Sequence, residues 1–285
     1  MVSQNNNAPR FFDRVLLEQR QRRARALGAE FFLLERVTDD MAERLGAVLR
    51  TFSQGVDIGT PTDAVTQALA PLAKSIARIA LPQSDSDALP LAPASLDLAV
   101  SALALQFVND LPGTLAQIRR ALRPDGLFMA ALAGGDTLTE LRQSFAAAET
   151  EIEGGLSPRI APMIEVRDAG SLLQRAGFAL PVTDVDRIVV RYDNAFALMR
   201  DLRRMGATNI LIERRRVPLR RATLLRMAEI YSERFADPDG RVRATFDIVW
   251  MSGWAPHDSQ PKPLKPGSGK MSLEEAVRGI KPASS

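Results

Sequence analysis

The 285-residue chain contains no cysteine and a single histidine, and these two absences remove whole classes of chemistry. Without cysteine there is no disulfide, no thiolate nucleophile and no cysteine-ligated zinc. His257 stands in a proline-rich stretch near the end of the chain, a poor position from which to serve a Ser-His-Asp triad. A metal site would have to be built almost wholly from carboxylates, and none is expected. No apolar run approaches the length of a membrane span, and the opening MVSQNNNAPR lacks the apolar centre of a secretory signal. Aromatic residues make up only 6% of the chain, and none interleaves with the arginine clusters Arg20-Gln21-Arg22-Arg23-Ala24-Arg25, Arg214-Arg215-Arg216 and Arg220-Arg221 as single-strand nucleic-acid binding requires. Those clusters read as solvated helix faces paired with nearby glutamates, or as a docking face for nucleic acid, acidic protein or anionic lipid. The missing aromatics turn the second reading away from nucleic acid.

What is present is an ordinary globular composition, 46% hydrophobic and 25% charged with a net charge of +3, long enough for one large α/β domain with insertions. The most informative stretch is residues 96–141. Residues 96–105 form a nearly unbroken apolar run, as in a strand buried on both faces of a parallel sheet. Asp110 is placed to cap a helix with Pro112 in its first turn. Leu111, Leu115, Ile118 and Leu122 recur at helical spacing and would face the sheet. Arg123-Pro124-Asp125-Gly126 turns the chain into a second buried strand at residues 127–132, followed by the polar loop Gly134-Gly135-Asp136-Thr137. This is one unit of a doubly wound α/β sheet.

The pattern LDLAVSALALQFVNDLP…IRRALRPDGLF resembles the second half of the class I S-adenosylmethionine (SAM) methyltransferases. Extended through GGDTLTELR, it is similar to the methyltransferase-like assembly factors of respiratory complex I, and more distantly to the malonyl-carrier-protein methyltransferase of biotin synthesis (BioC). The segments FFDRVLLEQRQRRA, FFLLERVTDDMAERL, AAAETEIEGGLSPRIAPM, LLQRAGFALPVTDVD, LMRDLRRMGATN and ATFDIVWMSGW resemble the same family in the same order, across most of residues 11–260. The resemblance implies a Rossmann-like sheet, SAM as cofactor, and a protein partner or substrate.

In that fold the first strand ends in an acidic residue and a glycine-rich loop that lets the backbone approach the cofactor. Here Asp57 and Gly59 match, but Thr60-Pro61-Thr62-Asp63 replaces the remaining glycines, and Pro61 brings a fixed φ and no N–H. An acidic residue for the ribose hydroxyls is expected about twenty positions on, yet residues 64–83 contain no Asp or Glu. Either the second strand and its helix are largely missing, or residues 76–81 are a degenerate second strand and Asp85 serves the ribose. The expected cofactor contacts are Asp57, Gly59, Thr60, Asp85, Ser101, Ala102 and Leu103. The catalytic candidates are Gln106, which would lie beyond a strand's C-terminal end, and Asp136 and Arg142 beyond the next. For Asp136 a simpler role as a helix cap competes.

Residues 1–9 read as a disordered arm, 10–255 as the methyltransferase-like domain and 256–285 as a flexible tail. Within the domain, residues 10–50 read as two amphipathic helices and about 190–240 as a helical insertion on the substrate side. The sheet is expected to be truncated in its first half. Three functions follow: a SAM-dependent enzyme acting on a protein in complex I assembly, a cofactor-free scaffold on a degenerate methyltransferase fold, or a BioC-type carrier-protein O-methyltransferase. Peripheral membrane contact is compatible with each. Arginine far outnumbers lysine, as in chains from GC-rich bacterial genomes. The expected location is the bacterial cytoplasm, or the mitochondrial matrix for a eukaryotic chain.

Overall fold

A computed structural model describes residues 10–82 and 88–261. The N-terminal arm, Asp85 and nearly all of the expected tail lie outside the described residues. Six strands form one sheet in the order β2-β1-β3-β4-β6-β5: β1 Gly55–Ile58, β2 Ile76–Ile79, β3 Leu96–Ala102, β4 Leu122–Gly134, β5 Ala179–Tyr192 and β6 Val242–Trp254. The first four run parallel, while β6 is antiparallel to both β4 and β5. From β1 the chain moves outward to β2 and then returns to place β3 on the other side of β1. That reversal makes the crevice beyond the C-terminal ends of β1 and β3 the natural ligand position of an open α/β sheet.

Buried parallel strands must be apolar on both faces, and β3 and β4 show it. Phe128, Ala130 and Leu132 point into a core with Leu115 and Ile118 of α4 (Leu111–Ala121) and Leu173 of α6 (Val166–Arg175). Leu127, Met129 and Ala131 point the other way, toward Val37, Met41 and Leu45 of α2 (Phe32–Gly46) and Val65 of α3 (Ala64–Ala68). A third core joins α5 (Thr139–Glu153), α7 (Ala195–Arg204) and α8 (Arg221–Phe235) around Phe145, Leu198, Ile230 and Tyr231. Helix α1 (Arg14–Ala26) packs on α7 instead of the sheet, tied by the Phe12–Leu211 bridge and by Asn109, whose Oδ1 accepts from Phe11 N and Phe12 N at 2.9 and 2.7 Å.

The helix signals are used as the sequence suggests, whereas the turn expected at residues 123–126 lies within β4, which already pairs with β3 at Leu122 and shifts register before Leu127. The Asp110 side chain accepts from Gly113 N at 2.8 Å, and Pro112 lies in the first turn of α4. Asp125 adopts φ 61, a conformation aspartate tolerates, and Arg50 Nη1 donates to its carbonyl at 2.7 Å. Of the two readings of the first half-sheet, the degenerate strand is the one present. Four-residue β2 pairs with β1 in register Asp57↔Arg78, reached through a helix of five residues. Among the described residues no strand lies beyond β2, and residues 80–82 and 88–95 carry the chain to β3 without helix or strand.

Asp97, the acidic residue of the L-D-L-A-V run, closes the lower end of β1: its carboxylate accepts from Ser53 N at 2.7 Å and Gln54 N at 2.9 Å. Substituting Asp97→Ala is expected to lower unfolding free energy by about 1 kcal/mol, since two charge-assisted bonds are lost at a half-exposed position. Urea denaturation measures it, and an unchanged midpoint would show that water replaces the carboxylate at no cost.

Candidate functional site

The end of β1 is held by a buried knot. Thr60 Oγ1 donates to Asp57 Oδ1 at 2.5 Å and accepts from Ala102 N at 3.1 Å, so the loop after β1 is bonded to the end of β3. Ser101 Oγ donates to Ile58 O at 2.7 Å, a second tie between the same strands. Arg78 of β2 donates to Thr60 O at 3.1 Å. Asp57 is fully buried and its Oδ2 has no partner. Burial pushes its carboxyl up to about 6, against the opposing pull of Thr60 and the Arg78 charge.

Gly59 adopts φ +76, where glycine is favoured. A Cβ there would stand 2.7 Å from Leu81 Cγ and 3.1 Å from Ala104 Cβ. The open side of the glycine is therefore occupied by Leu81. Above it lies a cleft of about 490 Å³ whose floor is Gly59, Thr60, Pro61, Ile79, Ala80 and Leu81 and whose roof is α1, through Leu17, Gln21 and Arg25. A second, mostly apolar chamber of about 300 Å³ lies beyond the ends of β3 and β4. Leu103, Leu138, Met163 and Met199 line it, as do Gln106 and Arg159. Gln21, Pro61 and Phe107 border both spaces, so cleft and chamber meet there.

The positions expected from sequence divide into groups. Asp57, Gly59, Thr60, Ser101, Ala102 and Leu103 are brought together, but only Gly59 and Thr60 face the cleft and only Leu103 the chamber. Asp57, Ser101 and Ala102 are buried in the knot beneath them. Gln106 lines the chamber; its Nε2 donates to Leu103 O at 2.9 Å and its Oε1 has no partner. Asp136 and Arg142 line neither space. The capping role weighed for Asp136 is not what the structure holds: α5 begins at Thr139 with no side-chain cap. Two stronger partners take Asp136 instead: its N–H donates to Asp247 Oδ2 at 2.9 Å, and its carboxylate pairs with Arg187 at 2.7 Å. Arg142 is exposed and donates to Thr137 O at 3.3 Å.

Several site residues left no local signal. Asp247 of β6 is buried, accepts from Arg187 Nε at 2.7 Å and lies so close to Gly135 that a Cβ there would meet its Oδ2 at 2.6 Å. It fixes the Gly134-Gly135 turn, whose flanking residues Ala133 and Thr137 line the chamber. Burial would raise its carboxyl, but Arg187 and the Asp136 N–H hold it below the ordinary range. Likewise Glu149 is buried in the AETEIEGGLSPR segment, where burial is outweighed by Ser157 Oγ at 2.5 Å and Arg159 Nε at 2.8 Å, and its carboxyl is held low. That network sets Arg159 and Ile160 into the chamber wall. Among the described residues no group of His, Asp and Glu is arranged to hold a metal ion.

The family described as "Methyltransferase domain" matches residues 38–130. The mitochondrial arginine-hydroxylase NDUFAF5 of Danio rerio is 39% identical over 262 residues, which span 86% of this chain and 81% of that one. The chain belongs to the NDUFAF5 family, on a class I methyltransferase fold. A malonyl-[acyl-carrier protein] O-methyltransferase of Laribacter hongkongensis is 44% identical over 177 residues, a match that spans 62% of this chain and 57% of the relative. A solved Bacillus halodurans structure described as a methyltransferase shares the fold, with TM-score 0.50 and 14% identity over 76% of this chain and 99% of that one. No described helix is long and apolar enough to cross a membrane.

The pH dependence of the knot can be measured. Because the folded-state value of Asp57 is raised from 3.8 to about 6, its contribution to stability is complete below 3.8 and is lost as pH rises through about 6. Asp57→Asn keeps an oxygen for Thr60 and does not ionise. Its unfolding free energy relative to the parent should grow by on the order of 2 kcal/mol between about pH 4 and pH 7.5. A difference that stays flat over that range would mean that Asp57 titrates as an ordinary carboxyl.

Proposed function

We propose that the chain is a SAM-binding factor of respiratory complex I assembly that modifies an arginine side chain of a protein partner, the activity named for its NDUFAF5 relatives. The observation that carries the reading is the pairing of two spaces. A nucleoside-sized cleft at the sheet's switch point meets an apolar chamber at Pro61 and Phe107, as a cofactor and a substrate side chain require.

Gly59, Thr60, Ala80 and Leu81 would hold the adenosine end, and Gln21 of α1 would cover the junction. When bound, SAM would supply a methyl carbon made electrophilic by the neighbouring sulfonium, to be taken by a guanidinium nitrogen with S-adenosylhomocysteine as the leaving group; the hydroxylation named for the relatives would need an oxidant such as dioxygen besides. The residues around the junction do the rest by alignment and by keeping water out. In the chamber, Gln106 is fixed through its Nε2 to Leu103 O, which leaves Oε1 as an acceptor for an incoming N–H. A guanidinium offers such donors in a planar fork. Glu30, paired with Arg204 at 3.2 Å, supplies the carboxylate among the chamber's lining residues.

A second reading, a scaffold without cofactor, draws on a specific observation: Leu81 fills the open side of Gly59, and no described carboxylate stands at the end of β2. Calorimetric titration with SAM and S-adenosylhomocysteine separates the two. The enzyme reading expects micromolar binding that Leu81→Trp weakens at least tenfold while the melting temperature is kept. No heat from folded parent protein would establish the scaffold reading. In a cofactor-competent protein, Gln106→Leu is expected to lower turnover of the arginine-containing partner by about tenfold, the cost of one lost hydrogen bond in a dry site. Mass spectrometry of the partner reads that loss and distinguishes an added oxygen from an added methyl group.

A further inference from the structure

Two segments far apart in sequence concentrate the molecule's positive charge. Residues 10–28 and 195–216 together hold twelve arginines against four acidic residues, whereas the whole chain nets only +3. The fold brings them into contact. Asp13 N donates to Ile210 O at 2.8 Å, Arg214 pairs with Asp13 at 3.3 Å, Arg20 bonds Thr208, and Gly206 lies so close to Gln21 that a Cβ would stand 3.1 Å from its Cα. Helices α1 and α7 thus form one face, and its inner side lines both the cleft and the chamber.

The outer side is arginine without matching carboxylates. Arg22, Arg23 and Arg200 are exposed there, with Arg25 and Arg203 exposed at the edges of the cleft and the chamber, and among the described residues these five show one ion pair, Arg22 with Glu18 at 4.0 Å. Elsewhere on the surface some arginines are paired, as Arg36 with Asp186, Arg44 with Asp184, Arg191 with Asp237 and Asp239, and Arg226 with Glu151, while Arg120, Arg167 and Arg175 of α4 and α6 are exposed, have no ion pair among the described residues and line neither space. Unmatched arginine is therefore not confined to this face; what is particular to it is that two arginine-rich segments pack together over the mouths of both spaces. Both segments contain arginine and no lysine. The planar guanidinium grips carboxylates in pairs.

We propose that this α1–α7 face docks an acidic surface of a protein partner and so delivers the partner's side chain into the chamber. The delivery step rests on the function proposed above; the docking itself does not. The alternatives fit less well. A membrane-lying helix presents large apolar residues outward, but Leu16, Leu17 and Ala24 of α1 are turned inward. Its exposed positions are Val15, Gln19, Arg22, Arg23, Arg25 and Ala26, with Leu27 just past its end, so the large apolar residues Val15 and Leu27 stand at opposite ends with the arginines between them. Single-strand binding needs aromatic platforms among the arginines; Phe11 and Phe12 stand between Arg10 and Arg14, but none stands among residues 20–25 or 200–216.

The test uses the full chain and a fluorescent decaglutamate peptide, with phosphatidylglycerol vesicles and duplex DNA in parallel at near-physiological salt. Arg22→Glu/Arg23→Glu/Arg200→Glu reverses three outward charges at positions that line neither space. Arg120→Glu/Arg167→Glu/Arg175→Glu makes the same change in net charge on exposed positions of α4 and α6. Peptide binding is expected, weakened at least tenfold by the first triple variant and less than twofold by the second. Melting curves check that both are folded, and Arg→Gln replaces Arg→Glu at the same positions if either is not. Equal loss in both variants would overturn the proposal, because binding would then follow net charge. Vesicle or DNA binding without peptide binding would overturn it in favour of those ligands. SAM titration of the same proteins is independent: a chain that binds no SAM but keeps the site-specific peptide response retains the docking face and loses only the enzyme reading.

Discussion

Thr60 is a small residue on which the geometry of the site turns. Its hydroxyl is bonded at once to a buried carboxylate on β1 and to a backbone N–H at the end of β3. The two strands diverge at the switch point, and each would otherwise leave a polar group stranded in the core. A glycine-rich loop would spend those groups on a ligand; here they are spent internally. The loop is thereby stiffened, first by the knot and then by Pro61, whose φ is fixed. What remains for a ligand is the upper side of the loop, shaped by Gly59, Leu81 and α1.

That arrangement explains why the cleft depends on elements remote in sequence. The half-sheet stops at a four-residue strand, so no further strand shelters the cleft on that side among the described residues. Helix α1 takes over as roof, and it is held by contacts from residues 206–214 and from Asn109, not by the sheet. The chamber is likewise closed by α7 and by the Glu149–Ser157–Arg159 network. Walls that come from α1 and α7 carry their charge to the mouth of the site. A ligand that approaches the chamber past α1 and α7 meets their arginines, whose field acts on approach as well as on contact.

The second half of the sheet was legible because buried parallel strands leave a long apolar signature, and because Asp110 and Pro112 mark the start of α4 chemically; the expected turn at Pro124-Asp125-Gly126 lies inside β4, as an irregularity in its pairing with β3. The first half was not. Helix α3 and β2 have five and four residues, and β2 is only partly buried, so neither periodicity nor an apolar run had room to declare itself. The capping role expected for Asp136 fails for a physical reason. A helix cap is a local choice, and it lost to Asp247 and Arg187, which arrive from strands more than fifty positions away in chain order. The grouping of Asp57, Gly59 and Thr60 followed from spacing. That Asp57 turns away from the cleft depends on the strand face, which spacing alone leaves open.

The same knot bears on whether the family's chemistry survives in this chain. A carboxylate whose one oxygen is satisfied and whose other is buried without a donor is costly, and proteins rarely keep such a group without a use for it. If Asp57 served only to anchor Thr60, an asparagine would do so without the penalty of ionising in the core. A charge or a proton at this position also acts on whatever occupies the space above Gly59, because the low dielectric beneath the loop screens it poorly. A cationic sulfonium near the loop would favour the ionised form and would itself be held more tightly by it. Ligand binding and Asp57 titration are then two faces of one equilibrium: SAM should lower the apparent value from about 6, and a rise in pH should tighten SAM.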